Sequence, residues 1–215
     1  MKVNITIPDS WKDITLKKYL ELQNDLESYK DDEEAQAALL LYHLCGLNAT
    51  QTGLLNKTTY DELISTLSSF MQKQEVELQR FVVIDGVEYG FEPNLSNMSY
   101  GAYADITKFN QLAIDKNWGK IMSILYRPVV SKKKETYLIQ QYDGKIDDKM
   151  WMNVGMDIHF GALFFFVHTL RDLLIYTLNY TMKMEGLTPE LKQTLAKSGQ
   201  VMQQLLNLQE EISKK

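Results

Sequence analysis

The sequence predicts a mainly α fold with a small antiparallel β-hairpin or three-stranded sheet, an α+β body built around one long aromatic-rich helix. Three observations lead there. First, the stretch 156–184 carries Phe160, Leu163, Phe164, Val167, Leu170, Leu174 and Leu178 at helical three-and-four spacing, with Phe165, Phe166, Leu173 and Ile175 on its other sides. A helix apolar nearly all round belongs inside a core or a packed assembly, so the seven stripe residues are predicted core. Second, Arg80-Phe-Val-Val-Ile-Asp-Gly-Val-Glu-Tyr-Gly-Phe91 reads as a hairpin, because Asp85-Gly86 accepts the positive φ angles of a two-residue type I′ turn. Third, most of the remaining chain reads as amphipathic segments with helix-capping residues at their starts.

Taken in order, Lys2 to Ile7 sets Val3, Ile5 and Ile7 against Lys2, Asn4 and Thr6, the period-two mark of a strand, and supplies the expected third strand. Thr15 caps a helix bearing Leu16, Tyr19, Leu20 and Leu26. Asp31 to Glu34 place negative charge at the start of the next, which carries Ala38, Leu41, Tyr42 and Cys45 and stops at Gly46. A short turn falls within 48–55, and Thr59 to Met71 aligns Tyr60, Leu63, Ile64, Leu67 and Phe70. The hairpin pairs Ile84 with Val87 and Val82 with Tyr89 on one face, leaving Phe81, Val83 and Glu88 on the other. Ser99 caps a helix over 100–110, and another over 118–126 ends at Arg127-Pro128.

From Val129 to Lys145 the regularity breaks down, and 131–145 is predicted to be an exposed arm or loop between a region 1–130 and a helical region 146–215, the two packed as one domain. Thr188-Pro189-Glu190 opens a C-terminal helix striped by Leu191, Leu195, Met202, Leu205, Leu206 and Ile212. That helix lies on the core or meets another chain; the stripe suits both.

Composition excludes several classes. A chain of 215 residues that is 45% hydrophobic and 24% charged can bury a core, and its net charge of -5 lacks the basic footprint of a general nucleic-acid binder. Met1–Lys2 runs into strand-like alternation rather than an apolar leader, so synthesis in the cytoplasm is expected. The single Cys45 forms no internal disulfide. A membrane span needs roughly 20 apolar residues. Here the run from Phe160 meets His168 and then Arg171–Asp172, so no span is expected.

Reactive chemistry does not assemble in the sequence. His43 and Cys45 are two apart and face different ways on a helix; His159 and His168 miss the four-residue spacing of a helical zinc pair. Asp31 to Glu34 lack calcium-loop spacing, and no Gly-rich phosphate cradle precedes a helix. No catalytic, cofactor-binding or metal residue is assigned, and no enzyme activity or cofactor is expected. Candidate interaction residues are Asp85 and Gly86 at the hairpin tip, Lys132, Lys133, Lys134, Tyr137 and Tyr142 in the arm, and Met202, Leu205 and Leu206 near the C-terminus.

Three segments together carry a resemblance: Ile7-Pro-Asp-Ser-Trp-Lys-Asp-Ile-Thr-Leu-Lys-Lys-Tyr-Leu20, Ile84-Asp-Gly-Val-Glu-Tyr-Gly-Phe-Glu-Pro-Asn-Leu95 with Tyr100-Gly-Ala-Tyr103, and Ile121-Met-Ser-Ile-Leu-Tyr-Arg-Pro128. Their order resembles a group of tailed-phage proteins, including those of crAss-like gut phages, encoded among virion-structure and assembly genes. The resemblance covers most of the chain to about Val130. It implies a non-enzymatic virion component, such as a head–tail junction or tail ring or adaptor subunit or packaged cargo, in homo- or hetero-oligomeric contact with other phage structural proteins. A soluble tail-assembly chaperone, absent from the finished particle, is the alternative. Either is made in the host cytoplasm; only the first enters the virion.

Overall fold

The computed structural model describes residues 5–72, 77–95, 98–109, 114–134, 136–166 and 168–169. A short 3-10 turn at Trp11–Asp13 leads into α1 (Leu16–Ser28), α2 (Glu33–Cys45), α3 (Ala49–Gly53) and α4 (Lys57–Met71). Then come β1 (Phe81–Ile84), β2 (Val87–Phe91), α5 (Tyr100–Phe109), α6 (Trp118–Leu125), β3 (Tyr126–Lys133) and β4 (Thr136–Ile139). Another 3-10 turn at Trp151–Asn153 opens α7, helical over 156–166 and at 168–169. The fold is mainly helical, with an antiparallel four-stranded sheet in the order β1-β2-β3-β4.

Local chemistry sets the helix ends. Thr15 Oγ1 accepts the Lys18 N–H at 3.3 Å, Asp32 Oδ1 that of Ala35 at 2.9 Å, and Ser99 Oγ that of Ala102 at 3.3 Å. Each satisfies an N–H that a helix start leaves without a partner. Gly46 closes α2 at φ 71°, where a side chain would be strained. The hairpin turn has φ 50° at Asp85 and 80° at Gly86, and the register pairs Val82 with Tyr89 and Ile84 with Val87.

Two distant segments are built alike. Trp11-Lys-Asp-Ile-Thr-Leu16 and Trp151-Met-Asn-Val-Gly-Met156 each form a 3-10 turn, one extended residue pair and a helix start. They face each other as a bridge between Thr15 and Gly155: Leu16 N–H donates to Val154 O at 3.0 Å and Met156 N–H to Ile14 O at 2.8 Å. Trp11, Ile14, Leu16, Trp151, Val154 and Met156 are all buried. A Cβ at Gly155 would lie 2.7 Å from Lys12 O, so the close approach requires glycine there.

Around this bridge the core is aromatic. Phe160 of α7 meets Trp11 at 4.9 Å and Tyr19 at 5.5 Å, both edge-on, and Trp11 packs on Phe70 of α4 at 4.6 Å. Tyr126 packs on Trp151 at 5.2 Å and on Phe91 at 5.1 Å, which carries the core under the sheet. Of the predicted stripe, Phe160 and Leu163 are buried. Phe164, expected to be buried, is only half-buried and stacks on Phe160 at 6.0 Å, because it lies on the margin of the helix's contact face. Val167, Leu170, Leu174 and Leu178 lie outside the described residues, as does the proposed C-terminal helix.

Two expectations about the sheet are corrected. The third strand is β3, not Lys2–Ile7: residues 5–8 join no sheet, and residues 1–4 lie outside the described chain. Ile5 and Ile7 pack their side chains on the core without a strand partner. The segment 131–145 is not simply an arm, since β3 runs through the 130/131 boundary to Lys133 and returns as β4. Pro128 does not prevent this. Its carbonyl accepts the Gln140 N–H at 2.8 Å, and its missing N–H falls past Ile139 at the end of the ladder.

Gly161 offers a test of sign. Helix propensity alone favours alanine in a helix by about 1 kcal/mol. A Cβ at Gly161 would sit 2.6 Å from the backbone oxygen of Glu77, however. Gly161→Ala is therefore expected to lower stability by about 1–3 kcal/mol, read as a reduced midpoint in urea. Phe160→Ala is expected to cost about 3–5 kcal/mol, and Phe164→Ala less, in the same measurement.

Candidate interaction surface

The sheet is covered differently on its two faces. On the helix side, Tyr89 meets Trp151 at 5.9 Å and Phe91 meets Phe165 at 5.3 Å. On the other side, Phe81 packs edge-on against Tyr137 at 4.6 Å, and Lys132 Nζ lies 3.5 Å from the centre of the Phe81 ring. That ammonium also pairs with Glu88 at 2.9 Å. Tyr137 OH donates to Phe91 O at 2.6 Å. Gly90 makes room for this layer, since a Cβ there would meet Ile139 Cγ2 at 2.9 Å and the Tyr137 ring at 3.0 Å. Arg127 and Glu92 form a nearly buried ion pair on the same side. Beyond it, Tyr142 OH donates to Asp105 Oδ2 at 2.6 Å, and burial together with that carboxylate pushes the phenol up to about 12.

The predicted interaction residues therefore divide. Lys132, Tyr137 and Tyr142 are held by packing and hydrogen bonds within the chain. Asp85, Gly86, Lys133 and Lys134 are exposed. The registers bring the 85–86 turn and the turn after Lys133 to the same end of the sheet. Met202, Leu205 and Leu206 lie outside the described residues.

At that end the structure shows a feature the sequence reading missed. Val87, Val130 and Leu138 sit on neighbouring strands, on the face that is helix-covered further along, and are 43%, 69% and 66% exposed. Val130 occupies a bulge, two residues of β3 standing opposite Leu138. Val83, on the opposite face, is 67% exposed. In sequence these valines and this leucine look no different from buried strand residues, and only the limit of the helical cover distinguishes them.

The titratable groups are placed as follows. His43 Nε2 is 2.8 Å from Asp25 Oδ2, joining α2 to α1 beside an open cleft of about 560 Å³ lined by Lys18, Glu21, Asn24, Tyr42 and Gly46. Burial pushes the Cys45 thiol up, away from a reactive thiolate. His159 is fully buried, and its Nε2–H donates to Trp151 O at 3.1 Å. Among the described residues no group of three or more His, Cys, Asp or Glu is placed to hold a metal, and no helix is long and apolar enough to cross a membrane. No protein family, curated protein or solved structure matches the chain.

Burial depresses the His159 pKa from 6.5 to about 4. The unfolded chain then binds a proton that the folded chain refuses, so stability is intact above pH 6.5 and falls as the pH drops toward 4. The full difference is about 3 kcal/mol for this buried group. Replacing the imidazole with an isosteric neutral group, His159→Gln, is expected to flatten the stability profile between pH 6.5 and 4 relative to the parent in urea melts at stepped pH. An unchanged slope would contradict it.

Proposed function

We propose that this chain is a non-enzymatic structural component of a tailed-phage virion, a ring or adaptor subunit of the head–tail junction or tail or a packaged cargo protein, acting through protein contacts. The observation that carries the contact part is the exposed apolar line Val87, Val130 and Leu138 at the turn end of the sheet. Exposed apolar side chains in adjacent rows, rather than scattered singly, are what interaction sites present. The virion part comes from the sequence resemblance. Its segments map onto the Trp11 turn with α1, the β1–β2 hairpin, and the passage from α6 into β3. These are framework elements: Glu92 N–H donates to Leu125 O at 2.7 Å where the last two meet. A resemblance carried by framework suits a shared building block better than a shared reaction.

Quantitative mass spectrometry of particles purified from cells infected with the encoding phage tests the reading. Many copies per particle are expected. Abundance in the infected lysate with absence from particles would replace this reading with the assembly-chaperone one.

A further inference from the structure

We propose that Asp143–Gly144 is a site of spontaneous backbone isomerisation, passing through a cyclic succinimide to isoaspartate, while the same dipeptide at Asp85–Gly86 is held out of that reaction by its hairpin. These are the two Asp-Gly pairs of the chain. Asp-Gly is the aspartyl pair that reacts most readily, because glycine puts no side chain in the path of ring closure. Gly144 N attacks Asp143 Cγ while the carboxyl is in its neutral form. A new N–Cγ bond closes a five-membered ring and one Cγ–O bond breaks. The oxygen leaves as water, taking the amide proton and the carboxyl proton with it. Water then opens the ring in one of two ways. Addition at Cγ breaks the new bond and returns aspartate. Addition at the former backbone carbonyl carbon of Asp143 breaks its bond to Gly144 N and leaves isoaspartate.

The two sites differ in whether the peptide can turn. Ring closure needs rotation about the Cα–C and Cα–Cβ bonds of the aspartate until the glycine nitrogen comes over Cγ. In the hairpin the backbone is set at φ 50° for Asp85 and 80° for Gly86, with Ile84 paired to Val87 across the turn. Rotation there would pull apart the pair that closes the β1–β2 ladder. Asp143 instead lies between β4 and the Trp151 turn, in a stretch without helix or strand. Among the described residues, no backbone group of 141–147 is hydrogen-bonded to another backbone group. Asp143 Oδ1 accepts the Lys145 N–H at 3.0 Å, which folds the carboxyl back over the residue that follows, toward Gly144 N. Both residues are exposed, and a Cβ at Gly144 would meet nothing within 4 Å, so nothing crowds the ring. Lys145 also restrains the reaction. Its N–H, and its ammonium 3.1 Å from Oδ2, hold the carboxyl below the usual carboxylate range, and the neutral form is the one that closes. That slows the step without obstructing its geometry.

Conversion leaves an extra backbone carbon between β4 and the Trp151 turn, and whether the chain enters a particle does not affect it. The test holds the full chain for weeks in neutral buffer, folded in one sample and unfolded in guanidinium chloride in another. Proteolytic peptides are then separated and fragmented by electron transfer, which tells isoaspartate from aspartate at equal mass. Expected is isoaspartate at both Asp-Gly pairs in the unfolded sample, and at Asp143 but not Asp85 in the folded one. Asp143→Glu, at an exposed position, would need a six-membered ring; it should abolish the product there and leave the melting temperature intact. The proposal is overturned if the folded chain carries no isoaspartate at Asp143 when the unfolded chain does, or as much at Asp85 as at Asp143. It is equally overturned if the unfolded chain shows the same excess of Asp143 over Asp85, which would trace the difference to neighbouring residues rather than to the hairpin.

Discussion

Everything else in the fold depends on two hydrogen bonds, Leu16 N–H to Val154 O and Met156 N–H to Ile14 O. They join segments from opposite ends of the described chain, and each does two things. The first residue of a helix has an N–H with no partner inside the helix. Here the first N–H of α1 is satisfied by the turn before α7, and that of α7 by the turn before α1. Neither helix start is complete without the other. Closing so long a loop costs several kcal/mol in chain entropy, on the order of what burying two or three large apolar side chains returns. Trp11, Ile14, Leu16, Trp151, Val154 and Met156 supply that burial from both sides of the bridge. Gly155 admits the two backbones to contact distance.

The sheet hangs from this centre by one end. Trp151 touches Tyr126 and Tyr89, and Tyr126 OH donates to Gln79 O at 2.6 Å, so the β2–β3 pair is fixed where Phe91 lies over Tyr126. Among the described residues the helical cover stops toward the turns, while the opposite face keeps its own small layer of Phe81, Lys132, Tyr137 and Ile139. The outer layer packs the far end of a sheet whose inner row, Val87, Val130 and Leu138, is exposed there. A sheet end whose outer layer is packed in place while its inner row is exposed is suited to holding a second surface without first having to order itself, which lowers the entropy cost of association.

What could be read from the sequence was what local chemistry decides. Asp85-Gly86 can adopt its turn without help from elsewhere, and the hairpin register follows from that turn alone. Thr15, Asp32 and Ser99 cap through their own side chains, and Gly46 stops α2 by its own φ. What could not be read was decided by partners. The alternation of Val3, Ile5 and Ile7 reports a buried side, and Ile5 and Ile7 do pack on the core, but alternation does not say whether a strand lies alongside. β3 and β4 hide for the converse reason. With both faces partly covered and a bulge at Val130, Tyr126 to Ile139 shows no clean period of two, and the lysines at 132–134 look like a solvated loop. Yet the Lys132 ammonium is held over the Phe81 ring and paired with Glu88. The buried pairing of Trp151 with Trp11's turn was equally invisible, because two six-residue segments far apart have no local reason to meet.

The distribution of polar chemistry bears on what such a body can do. Arg127 is matched by Glu92, Lys132 by Glu88, His43 by Asp25 and Tyr142 by Asp105. In each case a group that could hold or move a proton is used to position a neighbouring element: strand to loop, strand to strand, helix to helix, loop to helix. A catalytic group needs a matched partner on one side and open space for a substrate on the other. Of these four pairs only His43–Asp25 borders an open cleft; at the turn end of the sheet the exposed side chains are Val87, Val130 and Leu138, which have no reaction to offer and gain free energy only by leaving water. That separation, polar groups paired with one another to fix the frame and apolar groups exposed at one end, is the physical basis of the contact reading proposed above.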